Sequence, residues 1–374
     1  MIVYTKSWQD LFAEVIETGL CTLCGACSGF CPYLTYYRGR IAVLDNCTRT
    51  NEAQCYQYCP RTYIDLDTLS RAIFLSPYSA EPLGHAKAVV MARSADTKVR
   101  AGAQYGGVVT TILSFALQKR LVDAVLLVRT LWDKTPQPFV ARTTDDVMQC
   151  MGSNYMACPL LHGYNQFSKE HISGDCRLAI VATPCQVLSV AKMKSRPPQN
   201  KLNIANVKLV IGLFCTWALI PDRFSSFLRK AVNLADVIKF DVPPPPANRF
   251  DIYTKSGRIS LSLEQIREFT MPACAYCTDM TSEFADISVG AAEGIEGWNT
   301  VVIRSEAGDE LWQRLTTEKK VEVGELPSSN LEHLQAAAML KKKRAITELT
   351  RKSGDQGNLL YLGLSPELLG KWVA

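Results

Sequence analysis

The chain has 374 residues, 47% hydrophobic and 21% charged, with a formal net charge of +5. That length predicts two or three domains with a well-buried core, and the near-zero mean hydropathy is that of an ordinary globular protein. So small a charge excess argues against nucleic acid as a partner, and the longest apolar stretch, 209–221, is too short to span a bilayer. Fourteen cysteines at metal-ligand spacings, behind an N-terminus without an export signal, predict a reducing, cytoplasmic setting.

Trp8, Leu11, Phe12, Val15 and Ile16 fall at helical spacing and lead into the most informative segment of the chain. There the cysteines run Cys21-x2-Cys24-x2-Cys27-x3-Cys31-Pro32, then Cys47, then Cys55-x3-Cys59-Pro60, and the first run has the bacterial ferredoxin spacing. In a two-cluster ferredoxin each half gives three thiolates to one cluster and its last to the other. Cluster one therefore takes Cys21, Cys24, Cys27 and Cys59. Cluster two takes Cys31, Cys47 and Cys55 and lacks a fourth thiolate, because Thr48, Arg49 and Thr50 stand where a C-x2-C would continue. Asp45, Asn51, Glu52, Cys150 and Cys158 are candidates to complete it, and a three-iron or partial site is the other option. Zinc also uses C-x2-C pairs, but a third cysteine at x2 and a fourth at x3-Pro favour iron and sulfide.

Past a linker with a helix (63–86), residues 85–94 alternate into a strand, and a Gly-rich turn opens a long helix near 101–120. Residues 121–130, 176–185 and 207–215 read as buried strands, which predicts an α/β body with a mixed sheet and flanking helices behind an N-terminal bacterial-ferredoxin-like domain. The expected divisions are 1–65, 66–310 and a C-terminal helical segment, 311–374. The last two strands end on Cys185 and Cys215, at the edge where open α/β sheets collect ligands. After a hairpin turning at Ser256-Gly257 come Cys274 and Cys277, so four cysteines remain for one site. Pro243 to Pro246 reads as a stiff connection. The run Lys341 to Arg344, with Arg351 and Lys352, reads as a solvated helix face in preference to a docking surface for an acidic electron carrier. Cys176 reads as a small buried hydrophobe, and the four histidines show no metal spacing.

GLCTLCGACSGFCP (19–32), QYGGVVTTILSFALQKRLVDAVLLV (104–128), AIVATPCQVLSV (179–190), LVIGLFC (209–215), CAYCTDMTSEFADISVG (274–290) and GWNTVVIRSEAG (297–308) occur in this order. Together they resemble the family of the β subunit of coenzyme F420-reducing hydrogenase, whose relatives include F420-linked dehydrogenase subunits and 7-hydroxymethyl chlorophyll a reductase. The resemblance implies FAD and a 4Fe-4S cluster in the body. It places FAD at the turn Gly106-Gly107 with Thr110 and Thr111 facing it, and a body cluster on Cys185, Cys215, Cys274 and Cys277. A plain strand-to-helix turn is the alternative for the glycines, and two free thiols plus a zinc-binding pair for the cysteines. Gln186, Thr278 and Asp279 would hydrogen-bond around the cluster. Asp286 and Gly290 would lie on the strand closing the site, or Asp286 would cap a local turn.

A flavin exchanges two electrons and clusters exchange one, so the implied protein is an iron–sulfur flavoprotein oxidoreductase between a two-electron carrier, coenzyme F420 or similar, and one-electron partners. The partner would be a ferredoxin or hydrogenase, dehydrogenase or reductase subunits. The alternatives are a relay subunit of such a complex with no soluble substrate of its own, and a zinc-stabilised binding module.

Overall fold

The computed structural model describes residues 6–47, 53–171, 176–197, 203–243, 247–355 and 357–373. Thr50, Asn51, Glu52 and Pro244 to Pro246 lie outside the described residues. An eight-stranded sheet forms the body: β1 (Ala88–Ser94), β2 (Ala124–Thr130), β3 (Pro136–Ala141), β4 (Leu178–Ala182), β5 (Val207–Leu213), β6 (Ile287–Ala291), β7 (Asn299–Ile303) and β8 (Val321–Gly324). Across the sheet the order is β8-β1-β7-β6-β5-β4-β2-β3. The four middle strands, β6, β5, β4 and β2, run parallel, and the flanking pairings are antiparallel.

Every residue of β4 is buried, as expected of a central parallel strand covered on both faces. Alternation along β2 divides the core. Val125 and Leu127 pack with α1 (Val108–Gln118) on one face, and Leu126 packs with α2 (Leu160–Glu170) and α3 (Pro184–Ser195) on the other. A three-stranded antiparallel sheet (Val237–Asp241, Arg249–Thr254, Gly257–Ser262) forms a satellite core around Phe224, Phe240 and Phe250.

The cysteine-rich N-terminal part carries a two-stranded hairpin, Leu34–Tyr37 with Arg40–Val43, and is fastened to the body along α2. Asn165 Nδ2 donates to the carbonyls of Ala26 (3.1 Å) and Ser28 (2.7 Å), and Leu161 N–H donates to Cys24 O (2.9 Å). Gly25 is left-handed (φ +86°), and a Cβ there would stand 2.5 Å from His162 N, so this contact requires glycine. The C-terminal part joins the same core. Leu362 pairs with Ile64, and α4 (Ser328–Ser353) contributes Ile346 and Leu349 to the cluster that holds Cys24 and Tyr58.

The basic run on α4 is only in part a solvated face: Arg344, Arg351 and Lys352 are exposed, whereas its first two lysines are not. Lys341 and Lys342 are only 3% and 1% exposed. They sit on the buried stripe Ala338, Lys341, Lys342, Ala345, Ile346, Leu349, so helical phase carries them inward. Lys342 forms an ion pair with buried Glu283, which also accepts from Tyr78 Oη, and its ammonium stands 4.4 Å from the Trp372 ring centroid.

Candidate functional site

The cysteines fall into three neighbouring sets. Cys21, Cys24, Cys27 and Cys59 are mutually close, each within electrostatic reach of the others. Cys55 lies beside Cys31 and Cys47. Cys185, Cys215, Cys274 and Cys277 form the third set. Cys27 of the first set reaches Cys55 of the second, and Cys21 and Cys24 reach Cys185 of the third. The first set thus stands between the other two. Among the described residues no three His, Cys, Asp or Glu side chains converge on one ion position. A tetrahedral ion draws its thiolates to a point, whereas four thiolates on a cubane each take a different iron.

Cys185 lies in the first turn of α3, just past the carboxyl end of β4, not within the strand as its sequence suggests. Pro184 at the helix start ends the strand there, and Gln186 locks the turn by accepting from Thr183 N–H (2.9 Å) while donating to Cys158 O (2.8 Å). Cys215 follows β5 at the same edge, and Cys274 accepts from Ala218 N–H (3.3 Å). Asp279 gives its backbone oxygen to Cys277 (3.4 Å) and its carboxylate to Thr281 and Glu283 N–H. Asp286 binds Val210 N–H (2.7 Å) and Ser305 Oγ (2.5 Å), which ties β5 to the chain after β7.

Burial pushes the Cys21 and Cys274 thiols up to about 11 and Cys55 to about 12. Burial acts on Cys277 too, but the positive charges of Lys341 and Arg61 outweigh it and hold that thiol below its ordinary value. Three buried cations accompany the cysteines; neither Lys192 nor Arg61 is singled out by the sequence, and Lys341 reads there as part of a solvated face. Lys192 Nζ donates to Cys59 O (2.7 Å) and Thr62 Oγ1 (2.9 Å). Lys341 Nζ donates to Cys215 O (2.6 Å). Arg61 N–H donates to Cys59 Sγ (3.4 Å), and its guanidinium donates to Tyr361 Oη (2.7 Å) and Ala273 O (3.3 Å). Among the described residues none of the three makes an ion pair with a carboxylate. Buried charge needs a counter-charge, so these cations suit cysteine sets that carry anionic clusters.

All four cysteines of the third set line a cavity of about 690 Å³, within the range of cofactor pockets. Gly107, Val108, Val109 and Thr110, the first residues of α1, line it as well. Val108 N–H is taken by Asn299 Oδ1 (3.3 Å), and the N–H groups of Val109 and Thr110 with the positive dipole end of an eleven-residue helix are left directed there, which suits a pyrophosphate. Gln104 anchors its amide on Asp241 (2.8 Å) and leaves a buried Oε1 with no partner at the cavity wall, free to accept from a ligand donor. Cys150 and Cys158 line this cavity also.

Gly106 and Thr111, expected near FAD, are not among the residues that line this cavity. The Thr111 hydroxyl donates to Ser94 Oγ (2.7 Å). Gly106 is pinned between β1 and β7, where a Cβ would stand 2.7 Å from Asn299 Oδ1 and 2.9 Å from Ala92 O. Gly107 is required by its left-handed φ of +76° and by Val99, which a Cβ there would approach to 2.8 Å.

Residues 89–163 match the family described as coenzyme F420 hydrogenase/dehydrogenase, beta subunit N-term, and residues 175–329 match its C terminus. The chain is 27% identical to a coenzyme F420 hydrogenase subunit beta of Methanothermobacter thermautotrophicus, covering 70% of this chain and 90% of that protein. It is 26% identical to a coenzyme F420-dependent sulfite reductase of Methanocaldococcus jannaschii over 91% of this chain, and spans only 52% of that relative's length. In a solved F420-reducing [NiFe] hydrogenase complex from Methanosarcina barkeri, one chain superposes with a TM-score of 0.64 at 25% identity, covering 72% of this chain and 94% of the other.

Proposed function

The chain belongs to the coenzyme F420 hydrogenase/dehydrogenase beta-subunit family, and from that premise we propose that it is an F420-linked iron–sulfur flavoprotein that converts between two-electron and one-electron carriers. The observation that carries this reading is the succession of three neighbouring cysteine sets, the third of which shares a cavity with the α1 N-terminus. FAD held there, with its pyrophosphate at Gly107 to Thr110, would exchange two electrons with a carrier and one with the adjacent cluster. The protein's own part is to hold the acceptors close together, to shield them from water and to set their potentials by buried charge. The cavity speaks for a soluble substrate over a pure relay subunit. The test is an anaerobic screen of the isolated protein against F420H2, NADH, NADPH and reduced ferredoxin, following the flavin band. F420H2 is expected to bleach it, and bleaching by ferredoxin alone would assign the protein to the relay role.

Cys21, Cys24, Cys27 and Cys59 would hold cluster one, Cys185, Cys215, Cys274 and Cys277 the body cluster, and Cys31, Cys47 and Cys55 three corners of cluster two. Anaerobically purified protein should then carry about twelve irons if all three are cubanes. Oxygen ligation at the fourth corner of cluster two would make one iron labile, so air should produce a three-iron EPR signal there before the other clusters decay. About eight irons with no such signal would mean that cluster two is not built.

Gly107→Val should release FAD while iron content is kept. Valine resists a left-handed φ and its Cβ would meet Val99, so the first turn of α1 must move. Unchanged FAD stoichiometry would remove this turn from the flavin site.

A further inference from the structure

We propose that Arg61 is a redox-setting residue shared by two centres: its fixed positive charge, held between the first and third cysteine sets, raises the electron affinity of both together. This rests on the cluster reading above. One residue touches both sets, by its backbone at the first and its side chain at the third, and its charge acts on thiols of both. Its backbone N–H binds Cys59 Sγ, and its guanidinium reaches Cys277, close also to Cys185 and Cys21. Lys192 and Lys341, by contrast, each serve one set, Lys192 beside Cys59 and Cys24, Lys341 beside Cys215, Cys274 and Cys277.

The geometry holds the charge in place. Arg61 is 3% exposed, its guanidinium lies 4.8 Å from the Tyr361 ring centroid and donates to that tyrosine's hydroxyl, and Tyr361 is itself anchored by donating to Tyr276 O (2.6 Å). Water can screen little of it there, so a cation acts on neighbouring clusters at low effective dielectric. Adding an electron to either cluster makes it more negative, and Arg61 stabilises that state at both. Shifting both potentials in the same direction keeps the step between them small, which suits reversible electron passage. A lysine at either end could not do this, because each faces only its own set.

The test is redox titration followed by EPR of the two centres in holoprotein. Arg61→Gln removes the charge while keeping a polar, uncharged side chain at the position. Both centres should lose electron affinity about tenfold or more, a fall of ~59 mV each for a one-electron couple. Lys341→Met should lower the body centre alone, and Lys192→Met cluster one alone. Should Arg61→Gln fail to retain iron, Arg61→Lys is read instead: its shorter, unforked ammonium withdraws from Cys277, so the body potential should fall while that of cluster one holds. Both centres present with unmoved potentials, or only one moved in Arg61→Gln, overturns the shared role and leaves the cluster reading intact. Absence of the two centres from wild-type protein overturns both.

Discussion

Cys277→Ser and Cys185→Ser are expected to remove the body cluster and to cut electron flow between flavin and external one-electron acceptors by more than about 100-fold, since loss of a ligand exceeds the 10–100-fold typical of losing a ligand's hydrogen-bond partner. FAD should remain, because the α1 turn that would hold it is formed by Gly107 to Thr110 and does not depend on either cysteine. Cluster one should remain too, its thiols lying on a different segment. Iron analysis, flavin content and dye reduction measured together check the result. A variant with full iron and full activity would show that these cysteines are not ligands.

The second large effect concerns stability. Glu283 is 2% exposed and is the one carboxylate that the described residues offer to buried Lys342. Glu283→Ala leaves that ammonium uncompensated beside Tyr78 and Trp372, and breaking such a buried pair costs about 3–5 kcal/mol. Removing both charges, as Glu283→Gln with Lys342→Met, should restore most of the loss, because two neutral side chains have no desolvation penalty to offset. Chemical denaturation of the single and double variants measures this. Equal losses in both would mean that packing, not charge, is what the pair contributes.

The cysteine sets were legible because ligand spacing within Cys21 to Cys31 is a local property of the chain, and the central strands because burial on both faces writes an unbroken apolar run. Which sets stand next to each other was not legible, since it depends on how α2 docks against Gly25 to Ser28, 130-odd residues away in sequence. The buried cations escaped for a related reason. Lysine and arginine are ordinarily exposed, so Lys341 and Lys342 read as surface. Their phase with Ala338, Ala345, Ile346 and Leu349 was nonetheless present as a signal, and Arg61 directly follows Cys59-Pro60. Thr111 does not line the cavity because its hydroxyl is engaged by Ser94 Oγ and Gly107 O, the first of them a tertiary contact that the helical pattern does not record. The local need for glycine at Gly107 was not legible. Its φ and its contact with Val99 are tertiary facts that no spacing records.

The conversion of electron pairs to single electrons is tested most directly by titrating anaerobic, flavin-loaded protein with F420H2 while recording the flavin band and low-temperature EPR on the same samples. Expected is bleaching of the flavin accompanied by reduced-cluster signals, first from the body centre and cluster one. Flavin bleaching with every cluster left oxidised, or protein that binds neither flavin nor iron after anaerobic reconstitution, would contradict it.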